Sequence, residues 1–343
     1  HTMSRGLCRL VGYWRMWWAP FLWLGCGSPP PPGVDSGQDD PLAHVPAAVF
    51  ERIMDMGPLE AAPSDPTNRW ADNEEAAVLG QHLYFDTRLS ADGDVACVSC
   101  HSTSHAGADQ GPTSNGAGTG VMNAPTTWNS GYQRWFFWDG RADSLWAQAL
   151  SPLENAREHD SSRTDVARVV HDDETLRRRY EDLFGPMPDL TDTARFPPGA
   201  KPGEEGSAAT KAWSLMDAAD QQAITEVFVR LGKALDAYQR RLTLGPTRVD
   251  DFLEDYKAEN GQQNTHLTSS EIRGMILFAD HGQCHFCHAG ALFSNREFHN
   301  IGLGSEALDY GRFQGITDLL ASEFNGASSW SDDPEYGAER ILP

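Results

Sequence analysis

Positive charge is scarce in this chain. Its 27 Lys and Arg face 49 Asp and Glu, a formal charge of −22. A surface of that sign repels phosphate backbones, which excludes nucleic acid as a partner. Cysteine is scarce too: six in 343 residues cannot form a disulfide scaffold, so their spacing must carry the information. Convincing strands are few, and the apolar periodicities are helical, so the class is mainly α. With 40% apolar residues, the chain can bury one large core or two modest ones.

The apolar stretch over residues 16–25 is half the roughly twenty residues needed to span a bilayer core. Arg5, Arg9 and Arg15 precede it, and Cys26 follows, the arrangement of an export signal. Leu24-Gly25-Cys26 resembles the end of a bacterial lipoprotein signal, in which Cys26 would carry the lipid anchor. Trp23 departs from that pattern, and an ordinary cleaved signal is the alternative. Residues 26–48 read as an acidic, Pro-rich tether with little to bury. The expectation is a periplasmic protein attached to the membrane only through Cys26.

Four other cysteines fall into Cys97-Val98-Ser99-Cys100-His101 and Cys284-His285-Phe286-Cys287-His288. Both are C-x-x-C-H, the attachment pattern of c-type haem. Two thiols on one turn add to the two vinyl groups, and the adjacent His turns an imidazole nitrogen to the iron. A zinc site or a redox dithiol is the rival; zinc would close with four ligands from paired motifs, and a dithiol does not call for the following His. The lead-ins Leu79–Phe85 and Arg273–Phe278 repeat weakly as short helices, the second behind a capping box at Thr268 and Glu271. The organisation expected is two cytochrome-c-like haem domains, residues 49–245 and 246–343. Longer helices are expected over Arg163–Leu183 and Ser214–Leu242, around a Pro/Gly-rich insert.

Between the motifs stand Asn123-Ala124-Pro125-Thr126, Trp138-Asp139-Gly140-Arg141-Ala142, Gln148-Ala149 and Asn155-Ala156-Arg157-Glu158. With the attachment motifs and their lead-ins, these occur in an order that resembles the bacterial di-haem cytochrome c peroxidase family, including its MauG-like and MbnH-like branches. The resemblance runs from about Ala76 to Phe324. It implies that His101 and His288 are proximal ligands of a peroxidatic and an electron-transfer haem, and that Trp138 relays electrons between them. It also implies that Gln148 and Glu158 form the distal polar pair, Glu158 moving the proton during O–O cleavage, and that Asn123 belongs to a calcium site. The substrate implied is hydrogen peroxide, the partner an electron-donor protein or a protein oxidised at an aromatic residue.

The residues alone support the same chemistry. A haem that splits peroxide needs an open sixth position, a proton carrier and an oxidisable aromatic path. The segment offers Glu158 and the indoles of Trp128, Trp135, Trp138 and Trp146. A non-catalytic di-haem electron carrier, with both irons six-coordinate, is the rival of a different class.

The sequence departs from the family twice. Peroxidases that need reductive activation carry a histidine in the loop after the first motif. Here the only histidine between His101 and Asn123 is His105, too close to reach the opposite face. A five-coordinate or water-bound first haem is expected, as in MauG-like and MbnH-like members; the stretch Gly311–Asn325 resembles the MbnH-like branch, whose partner is oxidised at tryptophan. The family also continues beyond the point matching Pro343 with the second haem's distal Met or Tyr. The expectation is a C-terminally truncated chain with an incomplete second site, Met275 being helix core and not an axial ligand.

Overall fold

The computed structural model describes residues 42–258, 266–302 and 311–341. The expected signal, Cys26 and most of the tether lie outside them. Twelve α-helices are described: α1 Ala47–Met54, α2 Glu74–Tyr84, α3 Cys97–Cys100, α4 Leu145–Glu154, α5 Arg163–Asp172, α6 Glu174–Phe184, α7 Ala208–Ser214, α8 Ala218–Gln239, α9 Arg248–Ala258, α10 Ser269–Ala279, α11 Gly311–Ala321 and α12 Pro334–Ile341. Extended pairing among the described residues is limited to isolated bridges such as Phe136 with Ala142. The class is mainly α, as the periodicities predict. No described helix is long and apolar enough to cross a membrane.

The 22-residue helix α8 is the axis of the larger core. It buries Ile224, Phe228, Leu231 and Leu235, against Leu79 and Leu83 of α2, Trp146 and Leu150 of α4, and Tyr180 of α6. Two glycines set its spacing. A Cβ on Gly80 would stand 1.9 Å from the Ala234 carbonyl oxygen, and one on Gly232 would stand 2.8 Å from that of Trp146. Only glycine allows backbones so close. The helix α2 starts where the Asn73 side chain accepts from the Ala76 amide, with Glu74 and Glu75 in the positive first turn.

Two expected helices are cut differently. The stretch 163–183 breaks between α5 and α6, because Asp173 adopts extended backbone and caps the Thr175 and Leu176 amides. The helix expected from Ser214 starts at Ala218, after α7 has ended at Ser214. The capping box forms as predicted, with Thr268 and Glu271 bonded reciprocally at the start of α10.

A smaller core joins residues distant in sequence. Leu42, Val49, Ile53 and Met56 pack with Phe252, Leu253 and Tyr256 of α9 and Ile272 of α10. Conversely, Phe324 and Trp330 pack on the larger core. Lys233 of α8 donates to the Trp330 carbonyl at 2.8 Å and to Asp332 at 2.7 Å. Each core thus draws residues from both sides of residue 245.

Candidate active site

The single-turn helix α3 carries Cys97 and Cys100 into His101, on the wall of a cavity of about 50 Å³. Helix α4 sends Gln148, Ala149, Pro152 and Leu153 to the same cavity, α8 sends Leu235 and Gln239, and α2 sends Tyr84. Glu158, just past the end of α4, completes the wall. Five residues singled out from the sequence, Cys97, Cys100, His101, Gln148 and Glu158, therefore line one space.

Their electrostatics are specific. Burial pushes the Glu158 carboxyl above the usual carboxylate range, with the Arg141 charge and a bond from Asn155 opposing it. That bond runs from Asn155 Nδ2 to Glu158 Oε1 at 2.7 Å. Burial also raises the Cys97 thiol, to about 12. A redox dithiol needs a depressed thiol, so the rival reading weakens here. Among the described residues no three His, Cys, Asp or Glu side chains group as a metal site would require.

His101 has the bonding of an iron ligand. Its Nδ1 lies 3.0 Å from the Pro125 carbonyl and 3.2 Å from that of Gly107. With Nδ1–H donating there, Nε2 keeps its lone pair for a metal. Burial favours the neutral ring. His288 repeats the device, its Nδ1 lying 3.0 Å from the Phe293 carbonyl.

The second motif begins with a turn over Cys284–Phe286, behind Gln283 in the left-handed region. Leu277, Phe286 and Ile301 are exposed in this region, Ile301 by 71%. The flat apolar face of a haem would cover such side chains. In the first cavity the mark is a buried polar atom: His159, 3% exposed, lines the wall and its Nδ1 has no hydrogen-bond partner. Both sites fit the group that their motifs bind. His159 was not anticipated, since a histidine one residue after Glu158 carries no pattern of its own.

The remaining expected residues lie outside this cavity. Trp138 is 57% exposed, and its Nε1 donates to the Asn123 carbonyl at 2.8 Å. Its loop faces both motif regions: Arg141 acts on Glu158, while a Cβ on Gly140 would meet the Phe298 ring at 2.8 Å. Asn123 uses its amide nitrogen to hold the Asp109 and Gly111 carbonyls. Trp146 is fully buried and donates to Thr67, a core residue. Trp135 donates to Glu297 at 3.3 Å. His105 is exposed and bonded to Ser104. Met275 packs on the smaller core, as expected.

The family profile described as di-haem cytochrome c peroxidase matches residues 74–258, more than half of the chain. The chain belongs to this family of oxidoreductases. Family membership implies two c-type haems, one for each attachment motif. The cytochrome c551 peroxidase of Pseudomonas aeruginosa is 30% identical over 236 residues, covering 67% of this chain and 55% of that protein. The methylamine utilization protein MauG of Methylorubrum extorquens is 28% identical over 273 residues, covering 79% and 62%. Among solved structures, the diheme peroxidase BthA of Burkholderia thailandensis superposes with a TM-score of 0.54 at 22% identity, over 77% of this chain and 65% of that one. This last likeness concerns the fold. The chain spans little more than half the length of the first curated relatives.

Proposed function

We propose that the protein is a peroxide-dependent di-haem oxidoreductase. The observation that carries the reading is the convergence of Cys97, Cys100, His101, Gln148 and Glu158 on one cavity, with Glu158 poised by burial to hold a proton. A haem attached there supplies the iron at which hydrogen peroxide is split. The Gln148 amide orients the bound oxygen. Glu158 takes the proton from the inner peroxide oxygen and returns it to the outer one, which leaves as water. Each H₂O₂ consumes two electrons and two further protons to give two waters. Trp138, on the loop that faces both motif regions, passes the electrons, and the His288 site feeds them.

Three finer readings accompany it. His105 is exposed, bonded to Ser104 and off the cavity wall, so it would not cap a haem held by His101. This favours a MauG-like or MbnH-like enzyme that oxidises a partner protein at an aromatic residue over one drawing electrons from a small carrier. Asn123, with its amide nitrogen committed, offers Oδ1 to a calcium ion. Arg5, Arg9 and Arg15 ahead of the short apolar stretch that ends at Cys26 support export to the periplasm, with a lipid anchor at Cys26.

Electron paramagnetic resonance of the ferric holoprotein tests the function. A high-spin first haem is expected, its signal vanishing with peroxide. Two low-spin haems inert to peroxide would leave an electron carrier instead. Glu158→Gln should abolish peroxide-driven oxidation while both haems stay attached.

A further inference from the structure

A second space lies across α4 from the haem cavity. Leu150, Ser151 and Glu154 turn away from the cavity and line a cleft of about 390 Å³, together with Arg141 and Asn155. The two spaces share no wall residue. A single side-chain bond joins them, from Asn155 Nδ2 on the cleft to Glu158 Oε1 on the cavity.

Asn155 is locked at both ends. Its Oδ1 accepts from the Arg157 amide at 2.9 Å, which turns Nδ2 toward Glu158. Its backbone carbonyl accepts from the Glu158 and Asp160 amides at 3.0 and 2.9 Å. Arg141 is held as firmly, with Nη1 3.0 Å from each Asp139 carboxylate oxygen and its guanidinium 3.5 Å from the Phe137 ring centre. Asp139 directly follows Trp138.

We propose that Asn155 and Arg141 are positioning residues for Glu158. Asn155 fixes Oε1 and leaves Oε2 to exchange the proton, while Arg141, anchored beside the relay tryptophan, keeps the carboxylate form accessible. The proposal rests on the reading of Glu158 as the proton carrier. Burial alone would hold this carboxyl neutral, unable to accept the first proton from peroxide. A cation and an amide donor restore a group that can both take and give. The other charged or titratable groups around Glu158 are Arg157 and His159 beside it in sequence, and His101 and Tyr84 on the cavity wall. Cys97 and Cys100 of α3 carry no charge as thioethers.

The test is the pH dependence of cyanide association with the ferric first haem in the holoprotein, since hydrogen cyanide must surrender its proton to a nearby base. The wild-type rate should break at the Glu158 ionisation. Arg141→Gln and Asn155→Leu should each raise that break by about one pH unit, and Arg141→Lys should restore it. Asp139→Asn, a milder change, should move it the same way should either larger substitution compromise folding. A break within roughly 0.3 unit of wild type in the folded variants overturns the proposal. Glu158→Gln separates this from the parent reading: if the break persists there, Glu158 is not the base at all.

Discussion

The indole of Trp138 donates to the backbone carbonyl of Asn123 at 2.8 Å, tying the proposed relay residue to the proposed cation site. The bond fixes an otherwise half-exposed ring, and Asn123 in turn braces Asp109 and Gly111. Trp138→Phe keeps a ring and loses both the bond and the oxidisable indole. The expected outcome is slower charge transfer between the haems, measured by stopped-flow spectroscopy, with unchanged covalent haem content. Unaltered transfer refutes the relay. Asn123→Ala should cost about 1–2 kcal/mol of stability through its two lost bonds to carbonyls.

Asp236, fully buried on α8, accepts from Asn68 Nδ2 at 2.8 Å, and its Oδ1 has no partner. Burial and the nearby Asp65 charge raise its carboxyl to about 8. Between pH 4 and 8 the folded chain therefore holds a proton that the unfolded chain has released, so stability falls as pH rises through that window. Asp236→Asn mimics the neutral form and should remove a decline on the order of 3 kcal/mol. Thermal midpoints at pH 5 and 8 read the difference; parallel wild-type and variant curves would falsify the assignment.

Arg163 is a buried cation with three claims on it. It pairs with Glu154 and Glu323 and faces the rings of Trp213, Phe228 and Phe324. Arg163→Met leaves Glu154 largely buried without its counter-charge and releases the 322–324 segment from α5. A loss of about 3 kcal/mol is expected, the lower end for a broken buried pair because Glu323 is half exposed. Chemical denaturation measures it.

His159 is held neutral by burial. Its depressed folded value means that the unfolded chain binds the proton first as pH falls below 6.5. Stability is therefore retained above that pH and lost beneath it. His159→Leu should lessen the acid sensitivity between pH 6.5 and 5 by about 1 kcal/mol. An unchanged slope would assign the acid transition to other groups.

The attachment cysteines and their histidines were legible because haem attachment demands those residue types at that spacing, whereas Gln148 and Glu158 were legible through the resemblance to the family. The atoms that tune them were not. The acceptors for His101 and His288 are backbone carbonyls of Gly107, Pro125 and Phe293, which no side-chain pattern announces. Arg141 was visible as part of a motif, but its hold on Glu158 depends on where a loop folds back. The break at Asp173 was readable in hindsight as an aspartate cap, yet the apolar periodicity on either side continues through it. Which segments share which core escaped notice for a plainer reason: an apolar helix face does not say which neighbour it will meet.

The packing of residues 42–56 on α9 and α10 has a consequence for how the molecule is made. A ribosome delivers Leu42, Val49, Ile53 and Met56 before any of the larger core and their partners only after nearly all of it. The platform beside the second attachment motif thus closes only after the main helices of the larger core have been delivered. A nascent chain halted at residue 245 would leave an unburied apolar helix at its beginning, a handle by which quality control could recognise it as unfinished.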